Sequence, residues 1–245
     1  MPKLKNVPTI PHKSFSQTIC EKDLETFHQK LFDLQNKFYA DGRYGLLIIF
    51  QGLDTSGKDG SIRHVMSCMN PMGVHVKPFK KPTEEELEHD FLWRIYPHLP
   101  AKRMISVFNR SYYEDLVVPL ANKQLSDKAF EQRCELINTL EKHLKHSQTH
   151  VLKFFLHISE EEERNRIEER KTEPHKLWKY AKEDELVADN WSKYVEIYDS
   201  IFENCQKPDW NIIPADKRWY RNYAVAKILT KYLESLDLEY PKQLL

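Results

Sequence analysis

Residues 44–50 (YGLLIIF) are a continuous apolar run that leads without a break into GLDTSGKDG at 52–60. A run of that length and bulk reads as a strand buried on both faces. The loop after it has the G-x-x-x-x-G-K spacing of a phosphate cradle, and residues 61–69 read as the helix that follows. Backbone N–H groups gathered at a helix N-terminus bind anions. A strand that delivers such a loop belongs in a mostly parallel sheet with helices on both faces.

The rest of the chain repeats the alternation. Strand-length apolar runs stand at 74–79, 104–108 (MISVF), 151–158 (VLKFFLHI) and 210–214. Leu24, Phe27, Leu31, Leu34 and Phe38 recur at steps of three and four, and Gly42 ends that helix. Thr83 with Glu86 predicts a capping box opening a helix that runs to Arg94, and Ser159 with Glu162 predicts a second box. Further helices are expected over 128–146, 190–204 and 217–235. Residues 1–15, aperiodic and containing Pro and Lys, read as a flexible arm. The expected fold class is α/β: three α/β/α layers around a mostly parallel five-stranded sheet, one domain over 1–245, with a helical basic lid at about 160–190.

Hydrophobic residues make up 40% of the chain and charged residues 30%, enough for a core and a soluble surface. No apolar run approaches the roughly 20 residues of a membrane span. The start, MPKLKNVPTIPHK, has no apolar signal segment, so a cytoplasmic location is expected. Cysteines 20, 68, 134 and 205 form no C-x-x-C pair and read as reduced, mostly buried thiols. Lys plus Arg (37) equals Asp plus Glu (37), so any anion site must be local.

In the loop, Lys58 is placed to reach a transferred phosphoryl group. Two carboxylates accompany it. A carboxylate beside a polyanion is repulsive unless a cation intervenes. Asp54 therefore reads as a magnesium ligand, as an orienting group for the attacking phosphate, or as a turn residue. Asp59, where a hydroxyl usually stands, reads as a first-turn acid. The third strand runs into FNRSYYED at 108–115, where Asn109 occupies the slot for a metal-completing acid. Arg110 beside it suits bidentate phosphate binding, with Glu114 and Asp115 nearby. Residues 164–182 carry Arg164, Arg166, Arg170, Lys171, Lys176, Lys179 and Lys182 against Glu168, Glu169 and Glu173. That composition reads as a basic lid, or as a solvated helix with i,i+4 pairs. Lys77, Lys80, Lys81 and Arg94 add cations after the second strand. His143, His146 and His150 share helical spacing and read as a helix C-terminus rather than a metal cluster.

Seven segments in order carry a resemblance: 52–60, KKP at 80–82, DFLWR at 90–94, VFNRSYYE at 107–114, VLKFFLH at 151–157, ERKTEPHKLWK at 169–179 and IPADKRW at 213–219. Over roughly 20–240 the chain resembles the polyphosphate kinase 2 family. The resemblance implies a thymidylate-kinase-like P-loop fold. It implies reversible phosphoryl transfer between inorganic polyphosphate and nucleotides, ADP to ATP and also AMP to ADP, with Mg2+ or Mn2+. Adenine nucleotides are the implied substrates, guanine nucleotides a second class, and a dimeric or tetrameric homo-oligomer the implied assembly. Neither a membrane nor a nucleic acid is an implied partner. The implied catalytic residues are Asp54, Lys58, Arg110 and Arg170. Phosphate binding falls to Gly52, Thr55, Ser56, Gly57, Asp59, Gly60, Lys80, Lys81, Arg94 and Lys179. Nucleotide binding falls to Asn109, Glu114 and Asp216, and metal binding to Asp54 and Glu114. Some members have Asp where this chain has Asn109, which is why Glu114 is the substitute ligand. Two alternatives use the same residues: an ATP-dependent nucleoside monophosphate kinase, and a non-catalytic polyphosphate- or nucleic-acid-binding protein.

Overall fold

The computed structural model describes residues 2–241. Five strands form one sheet: β1 (Gly45–Gln51), β2 (Val74–Pro78), β3 (Ile105–Asn109), β4 (Thr149–His157) and β5 (Trp210–Pro214). All pairs are parallel, in the order β2-β3-β1-β4-β5. The helices are α1 (Gln17–Asp41), α2 (Lys58–Met66), α3 (Glu84–Glu88), α4 (Glu114–Ala121), α5 (Asp127–His146), α6 (Glu160–Thr172), α7 (Lys182–Asp189), α8 (Trp191–Asn204) and α9 (Arg218–Glu234).

The central strand explains the layering. Every residue of β1 is buried. Leu46, Ile48 and Phe50 point into a core shared with α1, α2 and α9, while Leu47 and Ile49 point into one shared with α4, α5 and α8. Strand alternation thus sends one apolar run into two cores. The register places Phe50 beside Asn109 and Phe154, Pro78 beside Asn109, and His157 beside Pro214. All five strands therefore finish at one edge, where such sheets bind their ligands.

The five strands and the long helices follow the sequence pattern closely. Gly42 closes α1 with φ 71°, a left-handed cap that glycine adopts without strain. Several local expectations are corrected. α2 begins at Lys58 rather than 61, so Lys58, Asp59 and Gly60 belong to the helix. The Thr83/Glu86 capping box forms, but α3 stops at Glu88, well short of Arg94. The Asp90 carboxylate accepts the Leu92 N–H and turns the chain there instead. At α6 only half of the second box exists. Ser159 accepts the Glu162 N–H, while the Glu162 carboxylate turns forward to Arg166 at 2.8 Å. α4 had no counterpart in the sequence pattern. His150 lies on β4 and pairs with the Tyr232 hydroxyl (2.9 Å), so it shares no helix with His143 and His146 at the end of α5. The cysteines are free thiols, and Cys20, Cys134 and Cys205 are buried.

The flexible arm expected over 1–15 is also corrected. Leu4 is fully buried, its N–H donates to Asp199 at 2.8 Å, and its carbonyl pairs with His157 at 3.1 Å. Thr9 donates to the Asp216 carboxylate at 2.8 Å. The segment is docked across the strand ends by its own backbone. Among the described residues, no helix is long and apolar enough to cross a membrane.

Candidate active site

The loop between β1 and α2 needs its glycines for steric reasons. Gly52 has φ 147°, and a Cβ there would stand 2.7 Å from the Leu156 carbonyl oxygen. Gly57 has φ 95°, and a Cβ there would stand 1.8 Å from Nη1 of Arg221. Thr55 (φ 60°) and, across the crevice, Arg110 (φ 64°) are left-handed without being glycine. Such positions persist only where surrounding structure enforces them, and they concentrate at functional sites.

Lys58 is buried and donates to the carbonyls of Gly52 (2.8 Å) and Leu53 (2.9 Å). Burial pushes its pKa down, and the neighbouring Arg110 adds to that. Arg221 of α9 is 3% exposed, lies against the loop, and donates to the Ser56 carbonyl at 3.2 Å. No carboxylate pairs with it among the described residues. Burial, then Arg166 and Arg218, push its pKa down to about 9. A buried charge with no counter-charge is costly, and a bound anion relieves it. Arg166 donates to the carbonyls of Thr55, Ala215 and Asp216 at 2.8–3.0 Å, tying α6 to the phosphate loop and to the end of β5.

The β3 side is tied to the loop by two pairs. Arg110 forms an ion pair with Asp54 and a second with Glu114 at 3.2 Å. Glu114 first, and Asp54 against the opposing burial, hold its pKa above the usual arginine value. Asn109 donates to the Asp59 carboxylate at 2.5 Å. Asp54 is thus oriented by Arg110, and Asp59 by Asn109.

These elements surround a cavity of about 730 Å³. Its walls carry 11 Lys and Arg side chains against four carboxylates, Asp54, Asp59, Glu169 and Asp184. The chain as a whole has a formal charge of zero, so the excess is local, as the sequence required. Of the predicted site residues, Asp54, Thr55, Gly57, Lys58, Asp59, Gly60, Lys80, Lys81, Asn109, Arg110, Arg170 and Lys179 line this cavity. Gly52 and Ser56 lie buried beneath the loop and shape it.

Three predicted residues do something else. Arg94 is 6% exposed and bonds Asp115 (2.9 Å), Glu86 (3.4 Å) and the Lys80 carbonyl (3.0 Å). It supports the Lys80 loop from beneath and does not line the cavity. Asp216 accepts from Thr9 and from the Ser159 N–H (2.9 Å), so it fastens the N-terminal segment and the start of α6 and does not line the cavity. Glu114 holds Arg110 from outside the cavity wall. Arg170 lines the cavity but also pairs with Asp184 at 2.5 Å. The sequence reading missed Arg63 and His64 on α2, Arg218 and Arg221 on α9, and the exposed Trp178. The available signal for the α9 pair was its spacing of three, on the first turn of a helix that follows a strand end.

Among the described residues, no group of three or more His, Cys, Asp or Glu side chains is arranged to hold a metal. The loop carboxylates on the cavity wall, Asp54 and Asp59, fit a cation held through phosphate oxygens and water with one or two carboxylates, as magnesium commonly is.

A parallel sheet whose first strand delivers this loop onto a helix N-terminus, beneath converging arginines and lysines, defines a P-loop phosphotransferase. The chain belongs to the polyphosphate kinase 2 family: the model described as Polyphosphate kinase 2 (PPK2) matches residues 14–241. It is 39% identical over 221 residues to the AMP/ADP-polyphosphate phosphotransferase of Meiothermus ruber, across 89% of this chain and 83% of that protein. It is 38% identical to the ADP-polyphosphate phosphotransferase of Rhodopseudomonas palustris, across 89% and 81%. The crystal structure of Polyphosphate Kinase 2 from Arthrobacter aurescens superposes with a TM-score of 0.95 at 34% identity, covering 99% of this chain and 88% of that one.

Proposed function

We propose that this chain transfers phosphoryl groups reversibly between inorganic polyphosphate and adenine nucleotides, with ADP and AMP both accepted. The observation that carries the proposal is the excess of 11 cations over four carboxylates around one cavity built on a phosphate loop. A single triphosphate needs one compact cradle. A polymeric anion needs cations along a track, and Arg63, Lys80, Lys81 and Arg218 line the same cavity from outside the loop. The names of the relatives, one AMP/ADP- and one ADP-polyphosphate phosphotransferase, support both acceptors.

Phosphoryl transfer asks the protein for positioning and charge neutralisation rather than covalent chemistry. Loop N–H groups and Lys58 hold the phosphates. Asp54, with its carboxylate set by Arg110, and Asp59, set by Asn109, are the groups that would hold Mg2+ or Mn2+. The cation, when bound, neutralises charge on the transferring phosphate. Arg110 and Arg221 take up charge that develops in the transition state. Residues 160–189 act as a lid whose Arg170, Lys176 and Lys179 cover the phosphates and exclude water. For assembly we assign the exposed Phe32 and Tyr39, seven residues apart on one face of α1, as part of the contact of a homo-oligomer, which light scattering tests. The functional test is nucleotide chromatography after incubating ADP, and separately AMP, with polyphosphate and magnesium. ATP from the first and ADP from the second are expected; no product from either defeats the proposal.

A further inference from the structure

Behind the Arg110 turn lies a closed polar network inside an otherwise apolar core. Glu141 on α5 is 2% exposed and Lys153 on β4 is fully buried. One Glu141 oxygen accepts from the hydroxyls of Tyr112 (2.7 Å) and Tyr113 (2.9 Å), and the other accepts from the Lys153 ammonium (2.9 Å). Lys153 also donates to the Tyr113 hydroxyl (3.0 Å) and the Cys205 carbonyl (3.2 Å), so all three ammonium protons are engaged. Both phenols are fully buried, and burial followed by Glu141 keeps them protonated.

A buried ion pair is a poor way to stabilise a core, because desolvation offsets the attraction and apolar side chains of similar volume often serve as well. What it supplies is direction. Tyr112 and Tyr113 directly follow Arg110 and Ser111. Between residues 110 and 114 the turn is held by Arg110 N–H to the Phe50 carbonyl (2.9 Å), Tyr113 N–H to Ser111 Oγ (3.2 Å) and Glu114 N–H to the Ser111 carbonyl (3.0 Å). Its outer end presents Arg110, in the left-handed conformation, to Asp54 and Glu114. Its inner end is gripped by the two phenols.

We propose that the Lys153–Glu141–Tyr112–Tyr113 network is a positioning device for Arg110, fixing the left-handed turn from within the core so that the guanidinium meets the transferring phosphate. This rests on the role given to Arg110 under the proposed function. A displacement of about 1 Å at a reacting group can lower a rate by about a hundredfold. The residues are positioning residues, since none lines the cavity.

The test replaces the whole network at once with Y112F/Y113F/E141L/K153M, which leaves no unpartnered polar group behind. Folding is checked by thermal melting, and kcat and KM are measured with polyphosphate and ADP. The expected result is a native-like melt, kcat down about tenfold or more, and KM for both substrates within about threefold. Added to Arg110→Ala, the network change should lower kcat no further, because both act through the same side chain. If the fourfold variant does not fold, Y112F/Y113F, which keeps the ion pair, carries the same expectation with a smaller fall. A folded variant with the kcat of the unaltered chain overturns the positioning role. So does an additive loss on top of Arg110→Ala. An unchanged kcat in Arg110→Ala itself overturns the role of Arg110, and the two failures are thereby distinguished.

Discussion

Replacing Glu163 by Gln should make the folded chain's stability much less dependent on pH. Glu163, in the first turn of α6, is fully buried and neither carboxyl oxygen has a hydrogen-bond partner. Burial, and next the nearby Asp54, push its pKa up from 4.5 to about 8. Between those values the folded chain keeps a proton that the unfolded chain has lost. Stability from this group is therefore fully present below pH 4.5 and declines as pH rises to about 8. At ~1.4 kcal/mol per pH unit, the loss is about 3 kcal/mol by pH 7 and ~5 kcal/mol once the folded chain also ionises. Gln has the same shape and no proton to lose. Its amide lacks partners too, but that offset is the same at every pH. Urea unfolding of both chains at about pH 5.5, 7 and 8.5 reads the difference. The stability of Glu163→Gln relative to the unaltered chain should rise by about 3 kcal/mol across that range. A difference independent of pH would show that Glu163 is ionised in the folded chain and would refute the reasoning.

Arg110→Ala should lower kcat by a factor of order 10², as expected for loss of a contact made in the transition state, and should also lower the melting temperature, because it strands the Asp54 and Glu114 carboxylates; steady-state kinetics at a temperature where a melting curve shows the variant folded checks both. Gly57→Ala should disrupt the phosphate loop, because the position has φ 95° and a Cβ there would also displace the Arg221 guanidinium, and nucleotide binding by calorimetry should be lost. Arg94→Met should lower unfolding free energy by about 3 kcal/mol through the stranded Asp115. Lys81→Ala, by contrast, should raise KM for polyphosphate with stability unchanged, which separates the supporting cation from the binding one.

How much the sequence revealed follows from the range of the interactions involved. β1 and β4 were legible because strands buried on both faces are apolar throughout, and α1 because its periodicity and Gly42 cap are local. The phosphate loop was legible because its geometry needs glycines at fixed spacing. α4 was hidden because it is one short helix with Pro119 inside it. The docked N-terminal segment was hidden because its partners, Asp199, His157 and Asp216, lie some 150–200 residues away. The same range explains Arg94 and Asp216. Each is a charge beside a phosphate-binding segment in sequence, and only the fold shows that its partners are other protein groups. Arg221 is the converse case, a helical arginine that becomes a site residue only when α9 crosses the loop.

The central claim is that polyphosphate itself is the phosphoryl donor at this cavity. Radiolabelled polyphosphate, unlabelled ADP and magnesium, with no other donor present, test it most directly. The account predicts labelled ATP in proportion to enzyme, and none with Lys58→Ala even though that variant still retains polyphosphate on a filter through the remaining cations. Label that stays wholly in the polymer, while the same enzyme phosphorylates AMP from ATP, would contradict it.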